Sequence, residues 1–185
     1  MFGIRKEETP LYKVLETEDK FELREYQDFL IAKVKVRESF EKSGSKGFRP
    51  LANYIFGENQ KKEKIQMTAP VGLHSASGEE YHNLSKENDW YISFFMPSRF
   101  EKNQLPKPDN ADVVHEEIKG GLFAIIRYSG SADKKNFEKK LLDLKSWIKS
   151  KNFTQSESFW FWRYDPPWTL PILKRNEIAI RIQQN

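Results

Sequence analysis

The chain of 185 residues has no cysteine and only three histidines. The first absence excludes disulfides, thiolate metal sites, iron–sulfur clusters and a cysteine nucleophile. The second leaves little room for a multi-histidine metal centre. Long apolar runs are missing as well: residues 92–96 and 122–126 are typical of the longest, far short of the ~20 residues that span a bilayer. The opening stretch Met1-Phe-Gly-Ile-Arg-Lys-Glu-Glu lacks the apolar centre of a signal peptide. Neither sign of charge dominates. Thirty-one Lys and Arg stand against 27 Asp and Glu, a net charge of +4, too mild to argue for a nucleic-acid partner. No Gly-rich phosphate loop, G-x-S-x-G or H-E-x-x-H is present, and Gly120-Gly121 reads as a turn. These absences lead to the expectation of a cytoplasmic monomer with neither a membrane nor a nucleic-acid partner.

What the chain does have is ring surface, in 14 Phe, 7 Tyr and 5 Trp. A chain of this length reads as one domain and buries roughly 70% of the surface that its unfolded form exposes. The expected organisation is an N-terminal tail over residues 1–7 and a single domain over 8–183.

Apolar spacing of three, four and seven predicts a helix over residues 47–56, with Phe48, Leu51, Ala52 and Ile55 on one face. Ser43 or Ser45 would cap its start, Gly57 suits its exit, and Pro50 fits if it lies in the first turn. Tyr54 and Phe56 fall off that stripe. A second helix is predicted over 133–150, with Phe137, Leu141, Leu144 and Ile148 as its stripe and Leu142 and Trp147 beside it. Its lysines give it a solvated outer face. Period-two alternation predicts strands near 12–16, 21–26, 30–36, 65–73, 90–96, 113–118, 122–128, 159–164 and 177–182. The element order then repeats: strand, helix, strand, strand over about 20–97, and again over about 113–183. Two such βαββ halves give an α+β fold, a mostly antiparallel sheet or partly closed barrel flanked by two helices.

The candidate chemistry is sparse. His74 and His82 flank a polar loop and His115 sits in a strand, and all three read as ordinary surface histidines. Glu22, Glu25 and Glu177 are the strand carboxylates that an enzyme on this scaffold would use. Met67 stands beside a turn. The segment Arg163-Tyr-Asp-Pro-Pro-Trp-Thr-Leu-Pro171, with Lys174 and Arg175 after it, reads as a proline-stiffened loop carrying a bare Trp168.

These segments resemble the SOUL haem-binding protein family. The pattern is Phe48-Arg…Leu51-Ala-x-Tyr54-Ile-Phe-Gly57, then Ile65-x-Met67-Thr-Ala-Pro-Val71, then Phe94-Phe-Met-Pro97 and Leu105-Pro-x-Pro108. It continues through Arg127-Tyr-Ser-Gly130 and Arg163-Tyr-Asp-Pro-Pro…Leu-Pro171…Arg175-Asn-Glu177. The matches run in order over about residues 8–182. The resemblance implies two βαββ halves in a distorted barrel flanked by two helices, as in effector-binding domains of the gyrase-inhibitor type. It also implies a tetrapyrrole ligand, haem or free porphyrin, in an apolar groove along the first helix. Leu51, Ala52, Ile55 and Met67 would line that groove, with Lys174 or Arg175 as the cation for the propionates. No metal ligand and no catalytic residue is expected. With no histidine before His74, haem would be held mainly by apolar contact. The alternative is a small-molecule effector-binding domain whose ligand is not haem.

Overall fold

The computed structural model describes residues 7–75, 84 and 86–184. His82 and residues 76–78 of the polar loop lie outside the described residues. Nine strands and two long helices follow in the order β1 (Tyr12–Glu18), β2 (Phe21–Tyr26), β3 (Phe29–Glu38), α1 (Phe40–Ile55), β4 (Val71–Ser75), β5 (Asn88–Phe95), β6 (Val113–Ile118), β7 (Gly121–Tyr128), α2 (Lys134–Ser150), β8 (Thr154–Arg163) and β9 (Asn176–Gln183). The repeated βαββ order is therefore present, as β3–α1–β4–β5 and β7–α2–β8–β9.

Among the described residues all nine strands join one antiparallel sheet, in the order β1-β2-β7-β9-β8-β4-β5-β3-β6. The expected barrel is not formed, because β1 and β6 remain edges and no ladder closes the sheet. Curling is nonetheless strong. Tyr26 of β2 and Phe29 of β3, far apart in strand order, meet with ring centroids 6.2 Å apart. The edge β1 is covered at its charged face by Lys151, whose Nζ lies 2.6 Å from Glu16 Oε1 and 2.7 Å from Glu18 Oε2, a common way to blunt a free edge.

Period-two alternation divides the core between the two faces of the sheet. The helix face buries Ile92, Phe94, Ile126, Phe161, Ile178 and Ile180 against Phe40, Leu51, Ile55, Phe137, Leu144 and Ile148 of the helices. The concave face buries Tyr26, Ile31, Phe95, Phe123, Trp162 and Tyr164 in a second cluster.

Helix α1 differs from its sequence expectation. It begins at Phe40, seven residues early, with Ser39 at its N-cap and no side-chain cap. Its sheet-facing stripe is Phe40, Gly44, Gly47, Leu51 and Ile55, all buried. The two glycines act as contact residues here, since a Cβ at Gly47 would stand 2.3 Å from Ile92 Cγ1. Pro50 consequently falls inside the helix, where it has no N–H to return to the carbonyl of Lys46. Phe48 is partly exposed. Helix α2 matches its expectation, with Asp133 as the cap, accepting from the Asn136 N–H. The strand expected over 65–73 begins only at Val71. Before it, the backbone turns elsewhere: the Ile65 N–H donates to the Ile55 carbonyl and that of Ala69 to the Glu8 carbonyl.

Candidate functional site

The expected groove along α1 is filled. Leu51 and Ile55 are 0% and 1% exposed, Ala52 is buried beside them, and Met67 is half-buried against the same core. Leu51 and Ile55 belong to the core between the helices and the sheet, and Met67 packs against that core. The structure does not bring Arg175 to them. Arg175 lies on the concave face, where its Nε donates to Glu177 Oε1 at 2.7 Å and Nη2 reaches the Tyr12 hydroxyl at 3.3 Å. Lys174 is in the loop after β8, its Nζ donating to the Pro167 carbonyl at 3.1 Å.

Of the three carboxylates considered for catalysis, Glu25 is exposed and Glu22 is paired with Arg24 Nε at 2.6 Å. Glu177 is fully buried. Arg24, equally buried, grips it with two hydrogen bonds of 2.8 and 2.9 Å, and the Tyr164 hydroxyl adds a third at 3.1 Å. Burial pushes the Glu177 carboxyl up, but Arg24 and Arg175 outweigh it and hold the group below the ordinary carboxylate range. A carboxylate that is ionised and saturated with donors is a structural anion; it has neither a proton to give nor a free lone pair to take one.

The two described histidines, His74 and His115, are not free surface groups. His115 is half-buried, with Nε2 2.9 Å from the Tyr54 hydroxyl. That hydroxyl donates to the Pro106 carbonyl, so it accepts from His115 and fixes the Nε2–H tautomer. Burial raises the Tyr54 pKa well above its ordinary value; buried and hydrogen-bonded on both sides, this phenol is no accessible iron ligand. His74, packed on Trp160 with centroids 4.0 Å apart, has its pKa lowered by burial to about 3. Among the described residues, no group of three or more His, Asp and Glu is placed to hold a metal ion.

Two other places are candidates for a ligand, the first by its cavity and the second by its exposed apolar side chains, and their signs are opposite. At the mouth of the curled sheet a cleft of about 980 Å³ opens beside Phe95 and Phe100. Its lining holds Glu8, Asp28, Glu101 and Glu117 against Lys102. Lys119 partly compensates, at 2.8 Å from Asp28 and 3.2 Å from Glu117, and the cleft stays acidic.

The second place is the seam where α1 and α2 begin. Phe40 and Phe137 meet there, 4.7 Å between centroids. The loop after β8 leaves the sheet beside α1, where the Arg163 side chain lies against Gly44, and is tied to the start of α2 by the Gly130 N–H donating to the Pro171 carbonyl at 2.8 Å. This loop shows solvent four large apolar side chains: Trp168 is 84% exposed, Ile172 78%, Leu170 65% and Leu173 60%. So dense an exposed apolar patch marks a binding surface more often than chance. The sequence singled out Trp168 but gave no hint that its three apolar neighbours also face outward.

The family profile described as SOUL heme-binding protein matches residues 7–181. Heme-binding protein 2 of Mus musculus is 29% identical over 140 residues, spanning 75% of this chain and 65% of that protein. The chain thus spans just under two thirds of that relative. Heme-binding protein 1 of Xenopus laevis is 24% identical over 159 residues, 85% of this chain and 81% of the relative. Among solved structures, the EcmrR C-terminal domain superposes with a TM-score of 0.70 at 14% identity, covering 95% of this chain and 99% of its own. A hydrolase encoded by lin2189 from Listeria innocua gives a TM-score of 0.67 at 10% identity, over 89% and 92% of the two chains. SAV2435 bound to tetraphenylphosphonium gives 0.53 at 12% identity, over 88% and 93%. At such identities the structural likeness speaks for the effector-binding type of fold alone.

Proposed function

This chain belongs to the SOUL heme-binding protein family, and on that footing we propose that it binds haem or another tetrapyrrole non-covalently, as a monomeric cytoplasmic carrier or buffer without catalysis. The ligand would lie along α1, as expected from the sequence, but at its outer start rather than over the buried Leu51 and Ile55. The observation that carries this reading is the exposed apolar group Trp168, Leu170, Ile172 and Leu173 on the loop tied to the start of α2. A planar apolar ring wants such a wall, and its carboxylates want cations at the rim. Lys174 is on the same loop. Propionates entering the acidic cleft would instead meet Glu8, Asp28, Glu101 and Glu117. The absence of catalysis is supported by the saturation of Glu177. Haemin and iron-free protoporphyrin IX are expected to bind with comparable affinity and to quench tryptophan fluorescence, and Trp168→Ala is expected to weaken both. If neither compound changes the absorbance or the fluorescence of the protein, the reading fails.

A second reading, an effector-binding domain for a ligand other than haem, is favoured by one observation: the acidic cleft suits an organic cation. A fold neighbour bound to tetraphenylphosphonium gives that reading its probe. Stabilisation by tetraphenylphosphonium that disappears in Glu101→Gln, together with no response to haemin, would favour it over the tetrapyrrole.

A further inference from the structure

The helix face holds a cation, Arg163, whose one side-chain partner among the described residues is the Phe161 ring, 5.9 Å from its Cζ. Arg163 ends β8, and in register across the sheet it stands beside Asn176 of β9, which in turn stands beside Tyr128 of β7. Its guanidinium lies against α1 at Gly44, where a Cβ would be 2.2 Å from Nη2; glycine at that position makes the room. It forms no hydrogen bond or ion pair with any described residue. Arg24, which unlike Arg163 is fully buried, has Glu22, Glu177 and Tyr26 as partners. Tyr128 is 8% exposed, and its hydroxyl is buried without a hydrogen-bond partner. Lys140 of α2 stands 5.8 Å from the Tyr128 ring centroid. The first turns of both helices meet here, so their dipoles add positive potential at this seam. The acid acting on Tyr128 is Asp133, which is committed to capping α2.

A buried phenol hydroxyl with no partner is costly, and the half-buried guanidinium beside it has no anion among the described residues. We propose that Arg163 and the Tyr128 hydroxyl form the carboxylate anchor of this chain's ligand, receiving one carboxylate of an amphiphilic anion whose apolar body lies under Trp168–Leu173. The guanidinium fork takes a carboxylate through two parallel hydrogen bonds, and the Tyr128 O–H donates a third. This deepens the tetrapyrrole reading, and rests on it, by giving one propionate a fixed partner. Asn176 does not take part, because its Nδ2 already donates to the Gly130 carbonyl.

The test uses the full chain, Arg163→Gln and Tyr128→Phe, with three probes: haemin, haemin dimethyl ester and benzoate. Arg163→Gln is expected to weaken haemin about ten- to a hundredfold and Tyr128→Phe about three- to tenfold. Neither should change the affinity for the ester. Without ligand, Arg163→Gln should unfold at the same temperature as the parent or higher, since it removes a charge that nothing pairs. Benzoate should raise the unfolding temperature of the parent and leave that of Arg163→Gln unchanged. Equal haemin affinity in the parent and Arg163→Gln overturns the proposal, as does an equal loss for the ester. A lower unfolding temperature for Arg163→Gln, with benzoate inert, assigns Arg163 a structural role and also overturns it. If the parent ignores haemin but is stabilised by benzoate through Arg163, the tetrapyrrole reading falls and the carboxylate anchor stands.

Discussion

Glu177 owes its ionisation to Arg24 and Arg175, and they owe it their burial. Removing its charge leaves the fully buried Arg24 uncompensated, so Glu177→Gln is expected to destabilise the fold by about 3–5 kcal/mol, measured by urea unfolding. Because its folded pKa is depressed, the stability it adds is full above its ordinary value of 4.5 and is lost as pH falls through the folded value. His74 acts in an earlier window. Its pKa drops from 6.5 to about 3, so below pH 6.5 the unfolded chain takes a proton that the folded chain refuses. Stability should therefore decline as pH falls from 6.5 towards 3, and His74→Phe should flatten the part of that slope above pH 4.5. Unchanged slopes in the variant would refute this. At this scale the sequence was only partly legible. It placed Glu177 on a strand with Arg175 two residues before it, but the other arginine that neutralises it, Arg24, comes from β2, and no local pattern announces that distant partner. Leu51 and Ile55 were read correctly as one apolar face, yet the same spacing serves a core and a groove alike. Their burial means that Ile55→Glu would unfold the protein rather than report on a ligand.

Helix α1 shows why an element's boundary resists sequence reading. Gly44 and Gly47 count as helix breakers by propensity, so the apolar stripe seemed to begin at Phe48. In the structure they are the points of closest approach, and tertiary packing overrides propensity. Two substitutions in this helix should act in opposite directions. Gly47→Ala forces a Cβ to 2.3 Å from Ile92 Cγ1 and is expected to cost about 1–3 kcal/mol. Pro50→Ala restores an internal hydrogen bond and is expected to gain about 1–3 kcal/mol. Thermal unfolding of the two variants checks both signs. Helix α2, with a side-chain cap and an uninterrupted stripe, was legible from end to end.

Across the whole molecule, alternation and element order were enough to give two βαββ halves and an antiparallel sheet, because those patterns are local. Closure is not local. It depends on whether β1 and β6 pair with each other, and among the described residues they do not, although rings from β2 and β3, near the two ends of the sheet, meet on its concave side. The open, curled sheet gives the molecule two candidate sites of opposite charge: an acidic cleft at the mouth, and a cationic, apolar seam beneath the loop after β8. The central claim is that the family's tetrapyrrole chemistry belongs to the seam. Hydrogen exchange with and without haemin tests it most directly. The account predicts that haemin slows exchange at residues 40–48, 128–131 and 165–175, with residues 8–11 and 95–103 unchanged. Slowing confined to the residues of the acidic cleft, or none anywhere, would contradict it.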